Sequence, residues 1–512
     1  MGAVPVADGF EAALAAALIG AERAPPALLD DAFPGLAPEA DSGGRLLARL
    51  AAQGLHHLAG RGLAAEALAP LPPREAAGPE CPPAAAARLA LLLAGGRTAR
   101  PRLAEWCALA GAAGVRAPIW LLPALIPYRS DWPEALDRIA GPEIAWFRQA
   151  CGGEASPAAG RDWTEGTTEE RRAAFAAFRQ RDPEGARAAL EAGFRAEKAE
   201  MRHALVSILE IGLSEADEPF LEACLDDRSS GVRAAAQGLL PRLPRSRLAA
   251  RMGARTRAAL AVESKRRLLG GTKHALVVTL PEESPALARD GVEPNAYERR
   301  GGGTRAGLLR DILARAPLHV FAEHPPRLWI ELGLHSEFAE AIFEGFFASV
   351  RRERDPDWVR AQAAVLGEAY AGRLSGIRPT NPLRERWART VALLPAEEWE
   401  RTVAAALPRG AIEDAFALLV TGPPVFSEGF GAACLDWLAS VTRGSRADRD
   451  GLAKTWLLDR LGERIAPTED AAAAAAAILA RLPEGEDQRL HGQLAAFAET
   501  LELRVALRRD FA

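Results

Sequence analysis

The run ERRGGGTR at residues 298–305 is where residue types and spacing come closest to chemistry. Gly301, Gly302 and Gly303 expose backbone N–H groups, Thr304 opens a helix, and Arg299, Arg300 and Arg305 stand beside them. A helix N-terminus reached through such a loop can hold a phosphate or a carboxylate. The pattern lacks the lysine of G-x-x-x-x-G-K-[ST], and residues 290–297 before it are polar and do not read as a strand. A surface loop closed by a capping threonine explains the same residues, so anion binding at residues 299–305 stands as an expectation beside that structural one.

Other constellations are thinner. His319, Glu323, His324 and His335 form the densest histidine group, but the spacing is not H-E-x-x-H. Positions 319 and 324 are about 500° apart around a helix, hence not on one face. They read as surface and loop histidines, and no metal or cofactor is expected. Ser427 lies in Val425-Phe-Ser-Glu-Gly429 and not in a G-x-S-x-G elbow. The five cysteines, Cys81, Cys107, Cys151, Cys224 and Cys434, are odd in number, far apart and without a C-x-x-C pair, which fits small or buried residues in a reduced, cytoplasmic protein. With no nucleophile paired to a base, the sequence predicts a protein that is not an enzyme.

The elements that must position these residues show best between 169 and 244. Laid over itself at an offset of 31, the chain places Leu190 on Leu221, and Met201, Leu205 and Ile208 on Val232, Ala236 and Leu239. Steps of three and four residues mark a helix face. A third copy is partial: Arg171 joins Arg202 and Arg233 in a column, while Glu170 stands where Met201 and Val232 are apolar. Asp227 with Arg233 follows an aspartate-in-turn, arginine-in-helix pattern, but Ala196 occupies the aspartate position one copy earlier, which argues against a continuous ladder. Asp182-Pro183 and Asp226-Asp227 read as caps and turns.

Along the rest of the chain, 85–94, 102–110 and 115–125 read as short helices, and 247–269 as one or two basic helices leading to a single strand at 274–280, where Val277, Val278 and Thr279 cluster. From 332 onward the pattern is helical again. Thr468 caps an ordered helix over the alanine run 471–477, and a last helix carries Leu490, Leu494, Phe497 and Leu501 on one face. Trp106, Trp358, Trp387, Trp399, Trp437 and Trp456 sit at helical spacing and read as packing residues.

Composition bounds the function. Hydrophobic residues make up 49% of 512, and 63 basic against 68 acidic residues give a net charge of -5. That balance argues against a dedicated nucleic-acid or anionic-membrane binder. Only four basic residues are lysine, so arginine richness is a compositional skew and weak support for phosphate binding. The longest apolar runs fall short of the roughly 20 residues that span a bilayer.

The repeats resemble HEAT repeats. Beyond them, the segments RLAEWCALA at 102–110, EPFLEACLDDR at 218–228 and GTRAGLLRDILARAPL at 303–318 resemble a poorly characterised bacterial domain-of-unknown-function family across most of the length. Its members are commonly encoded near MoxR-type AAA ATPases, von Willebrand factor A domain proteins and SWIM zinc-finger proteins, so the resemblance implies a protein partner of the MoxR or von Willebrand factor A class.

The expected fold is all-α, a HEAT/armadillo-like α-solenoid of antiparallel helix pairs with a short irregular, partly extended insertion. Its parts are an N-terminal helical region (1–160), the repeats (161–262), the insertion with the Gly/Arg-rich loop (263–336) and a C-terminal helical region (337–512). The expected function is a non-enzymatic scaffold or adaptor. The alternatives are a HEAT-like nucleic-acid binder using Arg171, Arg202 and Arg233, and an enzyme with an anion site in 274–336.

Overall fold

Prolines and short polar side chains set where the helices begin. Asp182 accepts from the Gly185 N–H at 2.9 Å ahead of the helix Pro183–Gly193, Asp355 accepts from Asp357 and Trp358 at 3.0 Å ahead of Pro356–Tyr370, and Thr468 accepts from Ala471 at 3.1 Å ahead of Glu469–Ala480. Each such cap contributes about 1 kcal/mol. Thr167 and Glu170 close a reciprocal capping box on Thr168–Arg181, which accounts for the glutamate that interrupts the apolar column.

The computed structural model describes residues 14, 18, 20–23, 41–59, 78–95, 99–128, 132–140, 162–266, 272–293, 303–407, 412–482 and 488–512. The chain divides into two compact units, Met1–Pro73 and Arg74–Ala512. In the first, Asp41 accepts from the Gly44 N–H at the start of the helix Ser42–Ala59. The second is mostly α-helical, with one two-stranded sheet among its described residues.

In the repeats, Ala199–Ile208 packs on both Thr168–Arg181 and Ser230–Leu239, so equivalent helices of successive copies lie side by side. The columns expected to be apolar are buried: Leu190 with Leu221, Met201 with Val232, Leu205 with Ala236. One hydrophobic cluster runs from Trp163 to Ala316 through these helices.

The helix Arg247–Ala259 then gives way to β1, Leu260–Arg266, which pairs antiparallel with β2, Thr272–Val278, in the register Leu260↔Val278 to Arg266↔Thr272. This corrects the helical reading of 260–266. A lone strand leaves its backbone groups unpaired, and the partner is the segment just before it. Val262, Leu276 and Val278 face a cluster with Phe321, Trp329 and Phe346, while Val277, Lys265 and Lys273 face solvent. A second correction falls at 115–125. Gly114, at φ 67°, ends the helix Arg100–Ala113, and Pro118 and Pro123 lack the N–H groups that a continuous helix would use, leaving a 3-10 turn Ile119–Leu121 and the short helix Leu122–Leu125.

The helix Ala339–Glu353 crosses Thr304–Arg315 closely because position 345 is glycine. A Cβ there would lie 2.5 Å from Leu313 Cβ and 3.0 Å from the Arg310 carbonyl. Farther on, Pro356–Tyr370 packs on Pro326–Leu334 and on Asn381–Val391, which in turn packs on Ile412–Leu419. The alanine run is helical as expected, with Ala471, Ala472 and Ala475 buried.

The last helix, Gln488–Arg509, serves two cores. Leu490, Leu494, Phe497 and Leu501 join the C-terminal cluster, whereas Leu507 joins Leu103, Trp106 and Cys107 of the early helices. Between them the buried Arg504 donates to Glu105 at 3.0 Å and to the Gly462 and Ile465 carbonyls at 2.8 and 2.6 Å. Early and late segments of this unit are thereby tied together.

Candidate functional site

Small side chains on successive helices leave a groove of about 670 Å³ between Pro356–Tyr370, Ala396–Ala406 and Ile412–Leu419. Ala363, Ala364, Ala405, Ala406 and Ala415 are among the residues that line it. A volume of this size, largely apolar with a few oriented polar groups, is what binding pockets offer. Gly367 sets one wall: a Cβ there would lie 3.1 Å from Trp387 Nε1, so a larger residue would push the indole back by a few tenths of an ångström. Tyr370 stacks on Trp387 with ring centroids 5.8 Å apart.

Polar groups along the groove are already engaged with each other. Tyr370 Oη donates to Asp414 Oδ1 at 2.7 Å, and Arg384 Nη1 donates to the same oxygen at 3.2 Å. Burial, then the bond to Asp414, pushes the Tyr370 phenol up to about 12, so it stays protonated at neutral pH. Arg360 meets both carboxylate oxygens of Glu398 at 2.8 and 2.9 Å, and Arg327 reaches Glu368 at 3.0 Å. Those hydrogen bonds hold the Glu398 and Glu368 carboxyls below the usual carboxylate range. Such an arrangement can orient a bound surface; it presents no nucleophile matched to a base.

One rim of the groove is the segment 371–380. His335 stands beneath it with Nδ1 2.8 Å from the Glu331 carbonyl and Nε2 2.9 Å from the Ser375 carbonyl. Both bonds can be donated only by the imidazolium, and these two carbonyls raise the His335 pKa above its ordinary value.

The residues singled out in the sequence fall elsewhere. Arg299, Arg300, Gly301 and Gly302 lie outside the described residues. Gly303, at φ 78°, is itself the N-cap of Thr304–Arg315, and Thr304 is the first helical residue and not the cap. Arg305 donates to the Leu280 and Pro281 carbonyls at 2.6 and 3.1 Å, bracing the segment that leaves β2. His324 packs on Trp329 and His274, and His319 belongs to the 3-10 turn Leu318–Phe321. Among the described residues no group of three or more His, Cys, Asp or Glu side chains is placed to hold a metal.

Two of the three arginines in the column form ion pairs, and the third is held by backbone carbonyls. Arg171 pairs with Glu197, Arg202 donates to Asp227 at 2.9 Å, and Arg233 donates to the Asp227 carbonyl at 2.8 Å. Glu197, one residue beyond Ala196 and one methylene longer than aspartate, supplies the acid that the 31-residue offset misses. Each acid serves the arginine of the preceding copy, so two acid–arginine rungs form with a glutamate in place of one aspartate; the Asp–Arg pattern is not continuous, as Ala196 led one to expect. Among the described residues Arg233 reaches only the Asp227 and Arg228 carbonyls.

Two clusters escaped the sequence reading. Arg179, fully buried, donates to Asp217 at 2.6 Å and to the Ile211 carbonyl at 2.7 Å. No periodicity links positions 179 and 217. At the end of the repeats Glu218, Glu222 and Asp226 meet Arg247, Arg251 and Arg289, and the buried Asp290 takes Arg251 and Arg255 at 2.6 Å. The four-residue steps 218–222–226 and 247–251–255 were legible as stripes, although their pairing was not. For the groove, Trp387 read only as a packing residue, and Tyr370, Arg384 and Asp414 come together through folding alone.

The thiols Cys81, Cys107, Cys224 and Cys434 are unpaired and buried, and burial raises all four, Cys107 and Cys224 to about 12. Cys151 lies outside the described residues. Trp106, Trp358, Trp387, Trp399 and Trp437 are buried as expected, but Trp456 is 46% exposed, resting on Phe416 with Arg460 over its ring.

Fold and groove together define a mostly α-helical protein with an apolar recess lined in part by alanines and framed by ion-paired side chains. The chain belongs to the family of unknown function DUF5691, whose model matches residues 12–511. None of the curated proteins matches it.

Proposed function

We propose that this chain is a non-enzymatic α-solenoid scaffold of HEAT/armadillo type that holds a segment of another protein in the groove beside Gly367 and Trp387. The groove carries the reading: it is large and apolar enough to take side chains of a docked helix, and Arg360, Glu368, Glu398 and Asp414 along it are already paired within the fold. The partner class implied by the family resemblance is a MoxR-type AAA ATPase or a von Willebrand factor A protein. The unpaired thiols fit a cytoplasmic setting, and among the described residues no helix is long and apolar enough to cross a membrane.

The nucleic-acid alternative draws little support from Arg171, Arg202 and Arg233, since each is bonded within the fold. A phosphate would have to displace a partly desolvated carboxylate or a backbone carbonyl. Phosphate contacts would give binding that weakens steeply with salt.

The test is site-specific photo-crosslinking. A crosslinking residue at position 364 or 405, in chain co-expressed with the MoxR-type ATPase or von Willebrand factor A protein of the same genome, should capture that partner. Ala405→Trp, paired with the crosslinker at 364, should abolish the capture. Capture that persists in the filled groove, or arises only from positions on the repeats, overturns the reading.

A further inference from the structure

The ribbon of β1 and β2 gathers features that packing does not explain. The chain has four lysines, and two of them, Lys265 and Lys273, stand directly opposite each other across the ladder. Like charges in that position repel. Lys265 is 84% exposed, and the acid that it pairs with, Glu263, is 3.9 Å away and itself 58% exposed. Arg266 adds a further exposed cation at the same end, so Glu263, Lys265, Arg266 and Lys273 leave this stretch with an excess of positive charge on a chain whose net charge is -5.

The backbone of β1 is equally unspent. Thr279 N–H donates to the Ala259 carbonyl at 2.8 Å, one step beyond the Leu260↔Val278 pair in the same register. Alternation along an antiparallel ladder then turns the N–H and C=O groups of Val262 and Ser264 outward. Among the described residues none hydrogen-bonds to these outward groups. β2 packs on the helix Pro326–Leu334, whereas β1 is exposed at every residue from Glu263 to Arg266.

We infer that the outer edge of β1 receives an extended acidic segment of a partner protein, added as a third strand. The edge offers alternating donors and acceptors, which a peptide strand satisfies and a phosphodiester chain, having acceptors only, does not. Carboxylates on that strand would lie near Lys265 and Lys273 and relieve their mutual repulsion. This inference stands apart from the groove: the two surfaces involve different elements and fail separately.

Fluorescence anisotropy of the full chain with a labelled peptide of alternating Glu and Val tests it. Saturable binding is expected, reduced about tenfold or more by the double variant Lys265→Glu, Lys273→Glu. The charge-reversed chain should instead bind the matching Lys/Val peptide, which shows that it remains folded. N-methylation of one alternate set of peptide amides should abolish binding, and methylation of the other set should leave it intact. Ala405→Trp should bind the peptide unchanged. Equal binding of both methylated peptides, tighter binding of single-stranded DNA of the same charge, or no binding at all overturns the proposal.

Discussion

The repeats and the C-terminal helices use the same pairing chemistry to opposite ends. In both, an arginine on one helix reaches an acid on a neighbouring one. Around Arg202–Asp227 and Arg179–Asp217 the guanidinium groups are desolvated, 3% and 1% exposed at the side chain, and the surrounding side chains fill the space between helices. At Arg360–Glu398 and Arg327–Glu368 the arginines remain about half exposed, and alanines beneath them leave the groove open. Buried, an ion pair fixes the spacing of helices. Left at a rim, it costs little and frames an open groove.

The largest effect should come from the buried pair. Arg179→Ala strands the Asp217 carboxylate in a site where it is wholly buried, and should cost about 3–5 kcal/mol in urea unfolding, the range for breaking a buried pair. Arg360→Ala should leave the unfolding midpoint close to wild type, because its partner stays hydrated. Equal losses would erase the distinction between the two regions.

The pH response should divide the same way. Hydrogen bonds from Arg247 and Arg289 hold the Glu218 and Asp226 carboxyls below their ordinary 4.5 and 3.8. A depressed folded value means that their contribution is full above about pH 4.5 and is lost as pH falls through the lower folded values. His335 behaves in reverse. Its folded value lies above the ordinary 6.5, so its clamp on Ser375 is complete below that pH and loosens as pH rises through the raised value. Hydrogen exchange of 371–380 should therefore speed up on the alkaline side beyond what intrinsic exchange chemistry predicts, and His335→Gln, which can donate only from one amide, should remove that pH dependence. A profile unchanged by the substitution would remove His335 from the groove rim.

Smaller still, Lys273→Thr removes the like-charge pair at 265 and 273 and should raise the melting temperature slightly at low salt, with the gain shrinking as salt is added. A fall in melting temperature would mean that the lysine pair is held by contacts other than charge.

How far the sequence carried these conclusions depends on whether a feature is periodic. The buried columns through Leu190 and Leu221, the caps at Asp182 and Thr468, and the alanine helix were readable because local spacing dictates them. β1 was not: Leu260 to Arg266 carries a weak alternation beside a basic helix, and its strand state comes from β2 and from the core against which Val262 rests. One rung of the ladder was hidden because it uses Glu197, which reaches from one position later to where an aspartate would stand. The groove was least legible of all. It depends on Gly367 and several alanines, residues that announce nothing by type, and on Tyr370, Arg384 and Asp414, which meet only when three helices are in place.

The contrast between a closed repeat face and an open groove meets its most direct test in a paired substitution. Ala405→Trp fills the groove, and Ala188→Trp adds the same bulk on the exposed side of the repeat helix Pro183–Gly193. Both should unfold within about 0.5 kcal/mol of wild type, as surface changes do. Affinity for the proposed MoxR-type or von Willebrand factor A partner, measured by titration calorimetry, should fall about tenfold or more in Ala405→Trp and stay unchanged in Ala188→Trp. Loss of binding in Ala188→Trp with Ala405→Trp unaffected would contradict it.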